Sequence, residues 1–156
     1  MYPLEAVQSM VKTIQVIERN ADIYNKHYEL DEDSETYHNE AVILAACTLA
    51  ELVNAKAIIG TSRSGYTAFR TAAHRPDADI FIFTNKKDIL TSLNLIWGVQ
   101  AFYYDHFKNT DTTVESLIQI LKDGGYLQKG DVVINTGSMP VEDNNMTNMV
   151  KLSVVS

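Results

Sequence analysis

The sequence predicts an α/β domain built as a three-layer, doubly wound sheet of five strands. Short apolar runs alternate with helical patterns through most of the chain, which is typical of parallel strands joined by crossover helices. The run Ile80-Phe81-Ile82-Phe83 is apolar at every position, as expected for a central strand that is buried on both faces. With right-handed crossovers we predict the strand order 3-2-1-4-5, mostly parallel, with strand 5 antiparallel.

A long amphipathic helix precedes the predicted domain. Apolar residues recur at three- and four-residue spacing from Leu4 to Tyr24, so the helix is predicted to run to about Asn25. Residues 29–38 are polar and rich in acids, which indicates a linker between two packing units. The predicted organisation is therefore a helical unit over residues 1–28, a linker over 29–38, and an α/β domain over 39–156.

Strands and helices alternate within the predicted domain. Strands are predicted at 57–60, 80–84, 101–104, 132–135 and 149–155, and helices at 39–53, 66–74, 86–97 and 112–122. Asp111 is the predicted N-cap of the last helix. In the last strand, Val150, Leu152 and Val154 alternate with polar residues, so these three apolar side chains are predicted to face inward.

The composition excludes several classes of partner and site. The formal net charge of −7 argues against a nucleic-acid partner or an anionic membrane surface. Cys47 is the only cysteine, so an internal disulfide is excluded and a reducing, cytoplasmic location is expected. No apolar run approaches the ~20 residues needed to span a membrane. The four histidines lack metal-ligand spacing, and we find no complete catalytic constellation, so no metal and no catalytic residue are predicted here.

The stretch after the first predicted strand is a candidate phosphate-binding loop. It consists of Thr61, Ser62, Arg63, Ser64 and Gly65, followed in the next helix by Thr67. Amides at a helix N-terminus lack internal partners, the hydroxyls add donors, and a guanidinium suits a phosphate. In the alternative interpretation, Ser64 only caps the helix and Arg63 lies in water. The stretch is neither a Walker loop nor a GxGxxG fingerprint, so nucleotide binding of those kinds is not indicated.

A second loop is predicted to lie beside the first. In the order 3-2-1-4-5 the strand order reverses between strands 1 and 4, and doubly wound sheets bind ligands where the order reverses. The loop after strand 4 begins Thr136-Gly137-Ser138-Met139-Pro140. We therefore predict that Gly137, Ser138 and Pro140 form a second ligand-binding loop that faces the first.

Motifs spread over nearly the whole chain match one known family. They are Tyr2-Pro3-Leu4-Glu5-Ala6-Val7, Ala55-Lys56-Ala57-Ile58-Ile59, Ser64-Gly65-Tyr66-Thr67-Ala68, Arg75-Pro76, Trp97-Gly98-Val99, Lys129-Gly130-Asp131-Val132-Val133-Ile134, Thr136-Gly137 and Thr147-Asn148. In order and spacing they resemble the C-terminal part of pyruvate kinase. The matching part comprises the last helix of the barrel domain and the C-terminal α/β domain.

The resemblance implies a fragment of a glycolytic enzyme. In that family a barrel domain binds phosphoenolpyruvate, ADP, Mg²⁺ and K⁺ and transfers a phosphoryl group to ADP, so this chain alone is expected to be inactive. The C-terminal domain contributes to a tetramer and, in many members, holds an allosteric sugar phosphate. The first helix would lack its barrel partner, which leaves Leu4, Val7, Val11 and Ile14 as an exposed apolar stripe.

The resemblance also implies an effector site that is kept in one part and changed in another. Members that bind fructose 1,6-bisphosphate hold one phosphate with a loop like residues 62–65 and Thr67. The other phosphate needs a basic residue near the start of a later helix, where this sequence has Thr113 and Glu115. The second loop also carries acids at 142 and 143, which would repel a bisphosphate. A sugar monophosphate, AMP or inorganic phosphate is therefore the expected effector, and the alternative is an assembly-only domain that binds none.

Overall fold

The computed structural model describes residues 2–20, 22–107, 109–139 and 146–156. The helices are α1 (Pro3–Asn20), α2 (Tyr37–Leu52), α3 (Tyr66–Ala73), α4 (Leu90–Leu93) and α5 (Thr110–Asp123), with a 3₁₀ turn at Lys87–Ile89. The strands are β1 (Ala57–Thr61), β2 (Asp79–Thr84), β3 (Val99–Tyr103), β4 (Val132–Gly137) and β5 (Met149–Val154). Beyond residue 56, strands and helices alternate as the sequence predicts.

One five-stranded sheet runs in the order β3-β2-β1-β4-β5, which confirms the predicted topology. β1 pairs in parallel with both β2 and β4, and β2 pairs in parallel with β3. β5 runs antiparallel to β4, with Leu152 opposite Ile134. The order reverses between β1 and β4, so the loops that follow these two strands begin side by side.

Helices cover both faces of the sheet and give the predicted three layers. Ile58 and Ile134 pack under α2, while Ile80 and Ile82 pack under α3 and α4. The neighbouring strand residues point to the other face, where Phe81 and its neighbours pack against α5. This alternation follows from the two-residue period of a strand, and it explains why β2 has apolar residues at successive positions.

Two predicted helices are longer than the helices observed. The first helix ends at Asn20, and residues 22–30 are not helical. Instead Asn25 adopts a φ of 52°, and its amide donates to the carbonyl of Arg75 at 2.7 Å, which ties this segment to the end of α3. The predicted helix 86–97 is only a 3₁₀ turn and the short α4, because the Asn94 side chain accepts from the Ala101 amide at 2.9 Å and the chain turns into β3.

The predicted cap of α5 is also wrong by two positions. Asn109 occupies the N-cap, and its Oδ1 accepts a hydrogen bond from the amide of Thr112 at 2.9 Å. Asp111 lies in the first turn and pairs with Lys151 at 2.7 Å instead. Both Asn and Asp suit an N-cap, so the two candidates could not be separated by residue type.

The inward face predicted for β5 is only partly correct. Val150 packs against the core beneath α2, but Leu152 is 43% exposed and Val154 is 61% exposed. Helix α2 covers β1, β4 and one end of β5, and no helix that the structure describes lies above the other end of this edge strand. The alternating pattern is real, but among the described residues only Val150 of its three apolar residues is covered.

The apolar stripe of α1 is exposed, as the sequence predicts. Leu4 is 65%, Val7 58% and Ile14 50% exposed, although they lie on one helical face. No helix among the described residues is both long enough and apolar enough to cross a membrane. The stripe is exposed along one face of this amphipathic helix.

Replacing a core phenylalanine should test the layer arrangement. Phe81→Ala removes a ring that is fully buried between β2 and α5, so the free energy of unfolding should fall by about 4 kcal/mol. Phe69→Ala is the matched control, because that ring is 61% exposed on α3, and its effect should stay within about 0.5 kcal/mol. Urea unfolding followed by circular dichroism measures both, and equal losses would contradict the packing described here.

Candidate functional site

The loop between β1 and α3 is shaped by its own serines. The amide of Ser62 donates to the carbonyl of Phe83 at 3.0 Å, which holds the loop against the end of β2. Ser62 Oγ accepts from the amide of Gly65 at 3.0 Å, and Gly65 occupies the N-cap of α3 with a φ of 87°. A side chain at that φ would be strained, so glycine is needed for the chain to enter the helix here.

The donors of this loop face outward. Arg63 and Ser64 are exposed, and in the part of the chain that the structure describes their amides have no hydrogen-bond partner. Ser64 Oγ accepts from the Tyr66 amide at a long 3.4 Å, so the capping interpretation of Ser64 accounts for one weak contact. The Arg63 guanidinium forms no ion pair with any described residue. A helix N-terminus, free amides and an unpaired guanidinium together suit an anion.

A cavity of about 480 Å³ opens beside this loop. Six predicted site residues line it, and they are Thr61, Ser62, Arg63, Ser64, Thr67 and Ser138. Gly65 and Gly137 shape the loops but do not line the cavity, and Pro140 lies outside the described residues. The two predicted loops are therefore brought together at one site.

The contact between the two loops is close. A Cβ atom added at Gly137 would lie 3.3 Å from Thr61 Oγ1. Thr67 reaches the far side of the cavity, where its hydroxyl forms a 2.9 Å hydrogen bond with the hydroxyl of Thr147. Thr67 therefore braces the cavity wall in this structure, since its hydroxyl is already paired.

Sequence reasoning missed half of the cavity. The additional lining residues are Thr36, Asn39, Tyr66, Asn85, Phe107, Met146 and Thr147. Asn85 and Phe107 follow β2 and β3, so the rule that ligands bind at the carboxyl ends of parallel strands could have found them. Asn39 belongs to α2 and had no such signal, because its position depends on a contact with Thr147 that spans 108 residues.

A buried carboxylate holds α2 and α3 together beneath the cavity. Glu40 is 6% exposed, and it accepts hydrogen bonds from the hydroxyl of Tyr66 at 2.6 Å and that of Thr36 at 2.7 Å. Arg70 on α3 forms an ion pair with the same carboxylate. The hydrogen bonds from Arg70, Tyr66 and Thr36 lower the pKa of Glu40 from 4.5 to about 2, and they outweigh the opposing effect of burial.

The comparisons with known proteins agree on one family. The family model described as "Pyruvate kinase, alpha/beta domain" matches residues 40–153. The chain belongs to the pyruvate kinase family. Pyruvate kinase from Clostridium acetobutylicum is 33% identical over 155 residues, which is 99% of this chain and 33% of that protein. Those from Lactobacillus delbrueckii subsp. bulgaricus and Staphylococcus aureus are each 30% identical, over 99% of this chain.

Solved pyruvate kinase structures share the fold. Two crystal structures from Cryptosporidium parvum superpose with TM-scores of 0.66 and 0.69, at 23% and 21% identity. They cover 76% and 81% of this chain, which in turn covers 22% and 24% of theirs. The chain spans about a third of the length of the curated relatives it matches, and its described part is the pyruvate kinase C-terminal α/β domain with a preceding helix.

Changing the charge of Glu40 should reveal its low pKa. At pH 7, Glu40→Gln should lower the free energy of unfolding by about 2 kcal/mol, because hydrogen bonds to a charged group are lost. The carboxylate's contribution is complete above its ordinary pKa of 4.5 and is lost as the pH falls toward about 2. In urea unfolding, the difference in the free energy of unfolding between variant and parent should therefore shrink as the pH is lowered from 5 to 2.

Glu115→Gln is the control for this experiment, since Glu115 is an exposed carboxylate on α5. Its effect should be within about 0.5 kcal/mol at either pH. A Glu40→Gln difference that does not change with pH would contradict the pKa assignment.

Proposed function

We propose that this domain is the regulatory part of a pyruvate kinase and that its cavity holds a phosphorylated small-molecule effector. The observation that carries the proposal is the cavity beside the β1–α3 loop, with its free amides and unpaired Arg63. No carboxylate among the described residues lines that cavity. Glu40, which binds the cavity-lining Tyr66 and Thr36, is paired with Arg70.

The charges of the site favour one phosphate group over two. Arg63 is the only cation that lines the cavity among the described residues. Near the start of α5, where a second phosphate would need a cation, Thr113 is buried and Glu115 is exposed. We therefore propose a sugar monophosphate, AMP or inorganic phosphate as the effector and disfavour fructose 1,6-bisphosphate, since an unpaired second phosphate would lie near acids.

The parent enzyme's chemistry is also a proposal. We infer that the complete protein converts phosphoenolpyruvate and ADP to pyruvate and ATP in cytoplasmic glycolysis, in a barrel outside these 156 residues. The described residues contain no cluster of three or more His, Cys, Asp or Glu suited to a metal ion. We propose that the Mg²⁺ and K⁺ of the parent enzyme belong to the barrel, and we derive no step through them.

The Glu40 network offers a physical route from the effector loop toward the barrel. Tyr66 is the first residue of α3 and directly follows the loop, while Thr36 precedes α2 at the end of the linker. Both donate to the same oxygen of Glu40. An effector regulates an enzyme only if it binds two states of that enzyme with different affinity. Because the loop is tied to the linker through Glu40, its conformation can differ between two such states.

A second candidate function is assembly without any effector. The α1 stripe and the uncovered end of β5 support it, because monomeric proteins rarely leave contiguous apolar faces exposed. In this interpretation α1 packs on its own barrel and the domain contributes to a homotetramer. The two functions are compatible, but only the first requires ligand binding at Arg63.

Calorimetric titration of the chain tests the effector function. Ribose 5-phosphate, glucose 6-phosphate, AMP, inorganic phosphate and fructose 1,6-bisphosphate are titrated separately. At least one monophosphate should bind, and Arg63→Ala should weaken it about tenfold or more through loss of a charged hydrogen bond. Arg19→Ala is the matched control, because it removes the same charge from an exposed position on α1 and should leave affinity unchanged.

The same substitution in the full-length enzyme separates the two candidates. If Arg63→Ala leaves the enzyme's response to phosphosugars unchanged, the effector function is wrong and the assembly function is favoured.

The exposed stripe of α1 predicts self-association of the chain when it is studied alone. Light scattering at micromolar concentration should show dimers or larger species, because the stripe has no cover within the described residues. Val7→Asp places a charge in the stripe and should shift the chain toward monomer. Ser9→Asp adds the same charge on the opposite side of α1 and should not. A monomeric parent chain would contradict this prediction.

A further inference from the structure

Asn39, near the start of α2, carries an unused hydrogen-bond acceptor. The residue is 4% exposed and lines the cavity, and its Nδ2 donates to the carbonyl oxygen of Thr147 at 3.0 Å. A carbonyl oxygen can only accept, so this bond fixes which end of the amide is nitrogen. The other end, Oδ1, is buried and has no hydrogen-bond partner among the residues the structure describes.

A second unpaired amide lies on a different element. Asn85 follows β2, lines the same cavity, and has a buried Oδ1 without a partner in the described ranges. Buried polar atoms in proteins are nearly always paired, because burial without a hydrogen bond is costly. Asn39 and Asn85 therefore place two unpaired amide groups beside one cavity.

The cavity is consequently two-sided. On one side lie the donors of the β1–α3 loop with Arg63, and α2 contributes the free acceptor of Asn39. Phe107 and Met146 add apolar lining. The volume of about 480 Å³ falls in the range of small-molecule sites, whereas a lone phosphate would leave most of it empty.

We propose that Asn39 is the specificity-determining residue of this cavity. It accepts a hydrogen bond from a hydroxyl or amino group of a ligand whose single phosphate lies at the β1–α3 loop. This inference rests on the proposed function, and it narrows the effector to a monophosphorylated compound with hydrogen-bond donors. Inorganic phosphate alone then binds more weakly, because it cannot reach both sides.

The test compares ligands with and without donors on the parent chain and on Asn39→Ala. Methyl phosphate supplies the phosphate without a donor-bearing body, while ribose 5-phosphate and AMP carry hydroxyls and, in AMP, an amino group. The parent chain should bind at least one of these two about tenfold more tightly than methyl phosphate, as one hydrogen bond to a buried acceptor allows. Asn39→Ala should remove that advantage and leave the affinity for methyl phosphate within about threefold. Arg63→Ala should weaken all three ligands.

Each outcome bears on one of the two claims. If ribose 5-phosphate or AMP still binds more tightly than methyl phosphate in Asn39→Ala, the role of Asn39 is overturned. A loss of affinity for all three ligands in Arg63→Ala would still support the phosphate site. Binding of no probe overturns both. Thermal unfolding shows whether Asn39→Ala folds. If it does not fold, the parent chain alone tests the inference, and methyl phosphate binding as tightly as ribose 5-phosphate and AMP overturns it.

Discussion

The parallel pairing of β1 with both β2 and β4 is the interaction on which the site depends. β1 is central in the sheet, and Ala57, Ile58 and Ile59 are at most 1% exposed. The chain leaves β1 toward β2 on one side, and β4 lies on the other side. At the carboxyl ends of β1 and β4, the connecting segments therefore run apart and leave a gap between the two strands. That gap is the cavity, and both predicted loops open into it.

Close packing at β1 also restricts its sequence. A Cβ atom added at Gly60 would lie 3.0 Å from both Ile82 Cδ1 and Thr136 Oγ1, one on each neighbouring strand. A larger residue would have to push one neighbour away, and the loop after Thr61 would move with it. The geometry of the loop amides that we propose to bind an anion thus depends on side-chain size inside the sheet, one residue before the strand ends.

The topology could be predicted because each strand has its own sequence pattern. The side of the cavity that α2 provides could not be predicted in this way. Residues 80–83 are apolar at every position, and the loop of residues 61–65 has a composition that indicates an anion site whatever surrounds it. Asn39 has no such local signal, since its role arises only where α2 meets Thr147. Leu152 shows the opposite failure, because its pattern predicts burial by a partner that α2 does not provide. Local patterns specify elements, and contacts between distant segments specify which polar atoms are left unpaired.

The proposed ligand site and the proposed assembly face meet at the start of β5. Thr147 bonds to Thr67 and Asn39 in the cavity wall, and the next residue, Asn148, donates its amide to the carbonyl of Gly137 at 2.9 Å. β5 begins immediately afterwards and leads to the exposed Leu152 and Val154. A molecule that occupies the cavity would stiffen the wall from which this edge strand starts, because it would pair atoms that are now free. The edge strand with the uncovered apolar residues is therefore the element of this domain best placed to differ between occupied and empty cavities, which is the condition that regulation through assembly requires.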